Sequence, residues 1–292
     1  MTVWLWAALA MAGDPFVQVL GIAQDAGHPQ AGCQRACCEA AFADPTKAHR
    51  ASSVAIVDPD SGRWWLVDAS PDLPAQIHGL PGTMAGVFVT HAHIGHYTGL
   101  VNLGREVMGV QDVPVWAMPR MQDFLSRHEP WAALSRQGHI RLSSLQHNAT
   151  VSITPTLSVT PLQVPHRDEL SETVGFVIRG PNRAVLYLPD IDKWERWDTR
   201  IEDVLADVDV ALLDGTFFED GELPGRDMSV IPHPFISESM ARFAPLPSAQ
   251  RAKVRFIHLN HTNPALDPAS ESSERVRQSG MAVSEEGERH PL

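Results

Sequence analysis

Three histidines lie within six positions in the segment Thr90-His91-Ala92-His93-Ile94-Gly95-His96. The apolar, β-branched run before them, over 86–90, predicts a buried strand. The apolar stripe after them, over 99–108, predicts a helix. Imidazoles on such a strand-to-helix turn can converge on one cation, because neutral imidazole is a common ligand of zinc and iron. A lone loop histidine is usually only a polar surface residue, but three at this spacing favour a metal site.

All three cysteines fall in one short segment, Cys33-Gln34-Arg35-Ala36-Cys37-Cys38. An odd number in so tight a cluster is not a disulfide framework, and adjacent cysteines pair poorly. A structural zinc site takes about four ligands. Cys33, Cys37 and Cys38 could supply two or three of them, with His28 or His49 completing the set. The alternative is a pair of buried thiols beside an exposed one.

Further candidate ligands stand at the ends of other predicted strands. These are His166 after strand 157–166, Asp190 after strand 184–188, and His258 in strand 253–259, with His261 shortly beyond it. Asp68 ends a strand predicted over 64–68. It could accept a hydrogen bond from a ligand imidazole, or it could be a plain turn aspartate.

Taken together and in this order, these elements resemble the metallo-β-lactamase superfamily, whose motif is His-x-His-x-Asp-His. The resemblance implies two ligand sets, listed here by site: His91, His93 and His166 for a first ion; His96, Asp190 and His258 for a second, with Asp190 bridging and His261 as the alternative to His258. Gly95 stands where the motif has its aspartate. We therefore expect a weakened second site, which Gly95→Asp should strengthen.

A narrower resemblance is to the coenzyme PQQ synthesis protein B family. It is carried by the loop 27–30 with the cysteines after it, and by the segments 68–72, 212–216, 225–228 and 258–264. That family acts on a peptide-derived, tyrosine-containing precursor and also has an altered metal motif. Because this chain retains His91 and His93, the resemblance indicates a subgroup and does not imply PQQ synthesis.

Asp214 and His233 form a further candidate pair. Asp214 ends a strand predicted over 208–213, and His233 lies between two prolines in the loop that follows. The pair is similar to the Glu and His of the superfamily's tRNA-processing members, which orient and shuttle a proton. A histidine held by an aspartate can act as a general acid. The alternative is a loop histidine that merely packs between prolines.

The elements that must position these residues are many short apolar strands with helices between them. No repeat or linker interrupts them, so one domain of two face-to-face sheets with helices outside would bury them. This is the four-layer αββα sandwich of the superfamily. We expect it over residues 16–268, with a short apolar extension at 1–15 and a surface helix and loose tail at 269–292.

Composition and the N-terminal segment bear on which partners and which cell compartment to expect. The 292 residues are 43% hydrophobic and carry a net charge of −12, and an acidic surface disfavours nucleic acid as a partner. No segment is long and apolar enough to cross a bilayer. The N-terminal segment has two interpretations: an export signal cleaved after Ala10-Met11-Ala12, which implies the periplasm, or a weakly packed extension of a cytoplasmic protein.

These observations predict a metal-dependent hydrolase that holds one or two zinc ions, or iron. The substrate would be a small ester, amide, lactone or phosphodiester. Asp190 would hold the attacking water or bridge two ions, and His233, oriented by Asp214, would protonate the leaving group. Two alternatives stay open. One is an iron-dependent oxygenase of the PQQ synthesis protein B type, which would use His96, Asp190 and His258; the other is a non-catalytic metal-binding or carrier protein.

Overall fold

A computed structural model describes residues 13–292, so the expected N-terminal signal or extension lies almost wholly outside the described residues. The strands are β1 (Phe16–Gly21), β2 (Ser53–Asp58), β3 (Arg63–Val67), β4 (Thr83–Phe88), β5 (Val113–Ala117), β6 (Ile140–Ser144), β7 (Val151–Ser152), β8 (Ser158–Val164), β9 (Thr173–Arg179), β10 (Ala184–Leu188), β11 (Val210–Asp214), β12 (Val254–Ile257), β13 (Ala282–Val283) and β14 (Arg289–Pro291).

The α-helices are α1 (Ala36–Ala43), α2 (Leu73–Gln76), α3 (Ile94–Tyr97), α4 (Pro119–Arg127), α5 (Trp131–Arg136), α6 (Ile201–Ala206), α7 (Ile236–Phe243), α8 (Ser248–Arg251) and α9 (Glu271–Gln278). Short 3₁₀ helices cover Pro45–Lys47, Thr98–Leu103, Trp194–Arg196, Met228–Val230 and Pro264–Leu266. Within residues 13–292, no helix is long and apolar enough to span a bilayer.

The strands form two seven-stranded sheets, in the orders β14-β1-β2-β3-β4-β5-β6 and β13-β12-β11-β10-β9-β8-β7. The neighbours from β3 to β6 run parallel, as do those from β10 to β13, and the remaining pairs are antiparallel. Strands that run parallel deliver the residues after them to one edge of the sheet. The segments after β3, β4, β10, β11 and β12 carry most of the candidate site.

Apolar side chains fill the space between the two sheets and the outer face of each sheet. The inner layer includes Val17, Trp65, Phe88, Phe176, Leu186 and Phe256. The outer face of the first sheet packs against Leu73, Leu100, Met121, Leu125 and Leu134. The second sheet packs against Ile201, Leu205, Ile236, Phe243 and Val276 from its helices. Burial of each large side chain contributes about 1.5–3 kcal/mol to the stability of the fold. The two packed sheets with helices outside confirm the predicted αββα sandwich.

The helix predicted over 99–108 is wrong in detail. The chain after the histidine turn forms α3 and then the 3₁₀ helix Thr98–Leu103. The amide of Gly99 donates to the carbonyl of Ala69 at 2.9 Å rather than to a carbonyl one turn back, so the α-helical ladder is interrupted there.

The C-terminal residues also differ from expectation. Helix α9 is present, but the residues after it are not a loose tail: β13 extends the second sheet beside β12, and β14 pairs with β1 in the first. Leu292 is buried in the main core. The tail is ordered because it covers an exposed edge of each sheet and satisfies hydrogen bonds that those edges would otherwise leave open.

Candidate metal centre

The two sheets bring the predicted ligands to one buried site. His91 and His93 follow β4, His166 follows β8, and Asp190 follows β10. One ligand atom from each of these four residues lies within 4.8 Å of the others. We call His91, His93, His166 and Asp190 the first cluster. Metal binding there stays a prediction, but the convergence agrees with it.

Asp190 lies at the middle of the site. Its Oδ2 is 3.2 Å from Nε2 of His96 and 3.2 Å from Nε2 of His258. Its Oδ1 is 3.6 Å from Nε2 of His166. The carboxylate therefore faces histidines from both predicted ligand sets, as a bridging ligand would. His261, the alternative to His258, lies elsewhere.

Sequence reasoning missed one residue of the centre, Asp25. It lies in the loop after β1, and its Oδ1 is 3.1 Å from Nε2 of His96 and 3.5 Å from Nε2 of His258. We call Asp25, His96 and His258 the second cluster; their ligand atoms also lie within 4.8 Å of one another. The only signal for Asp25 was an acidic residue in a glycine-punctuated loop, which by itself indicates a turn.

The position of Asp25 corrects the expectation drawn from Gly95. A Cβ built on Gly95 would lie 2.6 Å from Oδ1 of Asp25 and closer still to its Cα. Residue 95 has no room for a side chain, so sterics oppose the expectation that Gly95→Asp strengthens the site. The carboxylate that the motif lacks at position 95 stands beside it, supplied by Asp25.

Hydrogen bonds behind the centre fix the orientation of two imidazoles. The Thr90 hydroxyl donates to Asp68 Oδ1 at 2.9 Å, so it accepts from Nδ1–H of His91, also at 2.9 Å. His96 Nδ1 donates to Asp68 Oδ2 at 2.7 Å. The predicted role of Asp68 as an acceptor for an imidazole is confirmed. Both rings thus carry a proton on Nδ1 and turn Nε2 towards the centre, which is the orientation a metal ligand needs.

A matching network holds His258. The Thr216 hydroxyl donates to Asp214 Oδ1 at 2.7 Å and therefore accepts from Nδ1–H of His258 at 3.0 Å. His258 has φ 66°, and Asp68 has φ 64°, so both lie in the left-handed region that non-glycine residues rarely occupy. Such strain costs about 1–3 kcal/mol and concentrates at functional sites.

The charges of the centre are strongly coupled. Burial lowers the pKa of His91 well below its usual value, so this imidazole is neutral and able to bind a cation. Burial would also lower the pKa of His96, but Asp68 and two further carboxylates outweigh it and raise that pKa well above its usual value. Burial would raise the pKa of Asp190, but the charges of His258 and its neighbours hold it well below the usual range.

Unsatisfied polar atoms test whether a metal would fit. Nε2 of His91, Nε2 of His166, Nε2 of His258 and Oδ2 of Asp190 are buried and lack a hydrogen-bond partner. Buried polar atoms without partners are costly and rare in folded proteins. Here they face one another across a space lined by imidazoles and carboxylates, the donor set that zinc and iron accept.

Asp214 and His233 are brought together as predicted. Nδ1 of His233 donates to Asp214 Oδ2 at 2.7 Å and lies 3.9 Å from Oδ1 of Asp190. Burial alone would lower the pKa of His233, but the Asp214 carboxylate outweighs it and raises that pKa to about 9. His233 also lines a cavity of about 480 Å³ that opens onto Asp25, His93 and Asp190. The imidazole of His233, held by Asp214, therefore faces the space where a substrate would sit.

A separate group, which we call the thiol cluster, consists of Cys33, Cys37, Cys38 and His261. The structure corrects the expected fourth ligand: neither His28 nor His49 belongs to it, and His28 instead bonds the Cys37 carbonyl at 2.8 Å. Sγ of Cys33 and Sγ of Cys37 are 3.8 Å apart. Zinc–sulfur bonds of 2.3 Å in a tetrahedron place two thiolates about 3.8 Å apart, so the group fits a structural zinc.

Comparison with known proteins shows which families the chain is similar to. The profile of the family described as β-lactamase superfamily domain matches residues 63–259. Coenzyme PQQ synthesis protein B of Klebsiella pneumoniae (strain 342) is 30% identical and aligns with 93% of this chain and 96% of its own length. The corresponding protein of Pseudomonas fluorescens (strain Pf0-1) is 30% identical and aligns with 90% of this chain and 95% of its own length.

Solved structures agree. The crystal structure of Zn²⁺-bound PqqB from Methylobacterium extorquens has a TM-score of 0.79 and 25% identity, covering 95% of this chain and 100% of that one. A diphosphatase from the PhnP family has a TM-score of 0.66 and 20% identity, covering 96% of this chain and 98% of that one, and shares the fold.

Proposed function

The chain belongs to the metallo-β-lactamase superfamily, in the group of proteins like coenzyme PQQ synthesis protein B, and from that premise we propose that it is a metal-dependent hydrolase. The observation that carries the proposal is the pair of adjacent ligand clusters, with Asp190 of the first cluster facing the histidines of the second, beside the His233–Asp214 pair. Zinc is the ion we favour, since the related PqqB structure binds Zn²⁺.

The residues divide the work of hydrolysis between them. His91, His93 and His166 would hold one ion, and Asp25, His96 and His258 the other, with Asp190 facing both. A bound divalent ion would act as a Lewis acid and lower the pKa of a water towards about 7. Asp190 would orient the attacking water. His233, held by Asp214, would give its proton to the leaving group.

Two arginines favour an anionic substrate within the proposed range of esters, amides, lactones and phosphodiesters. Arg167 and Arg226 line the cavity, and neither has an acidic partner within ion-pair distance among residues 13–292. Many other arginines of this acidic chain are paired, as Arg50 is with Glu286. Unpaired guanidinium groups at the mouth of a site suit phosphate or carboxylate groups.

Turnover assays on the zinc-loaded chain test the function. A phosphodiester with one negative charge, a neutral aryl ester and a lactone would be compared, with the phosphodiester expected to have the highest kcat/KM. His233→Ala should keep its metal and lower kcat about 10²- to 10⁴-fold, the usual contribution of a general acid. Absence of turnover on all three substrates by a fully loaded chain would favour a carrier or metal-binding role.

Substitution of the cavity arginine tests the substrate class. Arg226→Gln should raise KM for the phosphodiester about 10- to 100-fold, the worth of one charge-assisted hydrogen bond, and leave KM for the neutral ester nearly unchanged. Arg183→Gln is the matched control, because Arg183 is also exposed but lies in the turn between β9 and β10. Equal effects on both substrates would contradict anion recognition.

A second candidate is an iron-dependent oxygenase of the PQQ synthesis protein B type. The second cluster favours it, because two histidines and one carboxylate are the ligand set of many non-haem iron oxygenases. Elemental analysis of the purified chain discriminates between the candidates. Zinc with hydrolytic turnover supports the first, whereas iron with substrate-dependent oxygen uptake supports the second.

A further inference from the structure

Two segments of the chain each contribute to both the centre and the thiol cluster. The first segment runs from Asp25, in the second cluster, to the three cysteines, beginning at Cys33. The second runs from His258, also in the second cluster, to His261, which completes the thiol cluster three residues later. No residue of the first cluster lies on either segment within the described chain.

The two segments are joined where they leave the centre. The amide of Gln24 donates to the carbonyl of Leu259 at 2.8 Å, and the amide of Leu259 donates to the carbonyl of Ile22 at 2.8 Å. The side chain of Asn260 also donates to that of Gln24. Hydrogen bonds therefore tie together the residues next to Asp25 and His258, and the thiol cluster joins the same two segments again at their far ends.

Apart from the bond of the His28 ring to the Cys37 carbonyl, few contacts order the chain between Asp25 and the cysteines. Residues 26–35 contain no helix and no strand longer than a single bridge, and most of their side chains are half-buried or exposed. The pairing of His28 with His49, at 2.8 and 2.7 Å, is the main backbone contact of this stretch. By contrast, the first cluster follows buried strands. A metal cross-link would therefore remove more conformational freedom from the second cluster than from the first.

We propose that an ion in the thiol cluster is required for tight metal binding at the second cluster, because it fixes Asp25 and His258, while the first cluster binds its ion independently. The inference rests on the proposed metal centre. Cys33, Cys37, Cys38 and His261 are positioning residues for that centre in addition to ligands of their own ion.

Metal counting on the full-length chain tests this proposal. We expect the zinc-loaded wild type to hold three ions per chain, one in each cluster. Cys33→Ala should hold only one, in the first cluster, and should bind zinc at the second cluster at least about 10-fold more weakly. Asp25→Asn is the matched comparison, since it should lose the second-cluster ion and keep the one in the thiol cluster. General unfolding would instead remove the first-cluster ion as well.

A chemical route covers the case in which Cys33→Ala does not fold. Titration of the wild type with an organomercurial, which captures thiolates, should release two zinc ions in one phase and leave the third bound. Release of a single ion, or a folded Cys33→Ala chain with unchanged affinity at the second cluster, would overturn the coupling. These measurements count ions, so they can support the coupling even if the chain hydrolyses none of the substrates. A wild type that binds no ion in the centre would contradict the proposed function itself.

Discussion

The first and second clusters of the centre face each other across Asp190 but are built differently. His91, His93 and His166 follow core strands, at positions that a short motif and the predicted strand ends indicate. The second cluster draws Asp25 from an irregular loop and His258 from a strained backbone. Asp25 fills the space that a side chain at residue 95 would need. The carboxylate that the superfamily motif has at that position can therefore come from a different part of the chain.

The largest effect is expected from substitutions in the first cluster. His91→Ala should weaken the tightest-bound zinc by more than about 100-fold and abolish turnover, because loss even of an outer partner of a ligand costs 10- to 100-fold. His93→Ala and His166→Ala should behave alike. Zinc titration of the folded variants provides the measurement, and full occupancy in all three would refute the assignment.

A smaller effect is expected at the second cluster. Asp25→Asn keeps the shape of the side chain but removes its charge, so one ion should be lost while the first-cluster ion stays. Asp60→Asn makes the same change in net charge, but it lies in the turn between β2 and β3, far from the site, and should lose no ion. Elemental analysis after dialysis decides. Loss of both ions from Asp25→Asn would mean that the two clusters do not bind independently.

Gly95→Asp tests whether residue 95, beside the second cluster, has room for a side chain. A side chain at residue 95 collides with Asp25, so the variant should be destabilised by about 1–3 kcal/mol, the usual cost of overpacking, and should gain no affinity for a second ion. Urea denaturation and zinc titration are the two measurements. A variant of normal stability whose second ion binds more tightly would show that residue 95 can carry the motif carboxylate after all.

The smallest effect concerns Glu222, which braces the segment after His261. Its carboxylate accepts from the amide of Phe218 at 2.7 Å and from the hydroxyl of Thr262. Burial raises the pKa of Glu222 to about 7. The protonated side chain is therefore favoured in the folded state, and the stability it contributes is full below its unfolded pKa of about 4.3 and is lost as the pH rises through 7.

Glu222→Gln should remove this pH dependence. Between pH 6 and pH 8 the wild type should lose on the order of 1 kcal/mol of unfolding free energy more than the variant. Urea titrations at the two pH values, with zinc held constant, measure the difference. Parallel losses in the two proteins would show that Glu222 does not titrate in this window.

Much of the fold and of the site was readable because its signals are local. A continuous apolar run predicted β10 with the bounds that the structure has. Histidines and aspartates at strand ends identified His166, Asp190 and His258, since strands that share a sheet carry their ends to one edge. The pairing of Asp214 with His233 was predicted from the resemblance to the superfamily's tRNA-processing members, and the structure brings the two side chains together.

What the sequence could not determine depends on contacts between segments far apart in the chain. Asp25 meets His96 across 71 positions, and His261 joins cysteines more than 220 residues earlier. Neither spacing carries a local signal. The C-terminal strands likewise have their partners in β1 and β12. Sequence periodicity fixes which face of a strand is apolar, whereas the packing of the two sheets decides which loops meet, and here that packing placed a carboxylate beside Gly95.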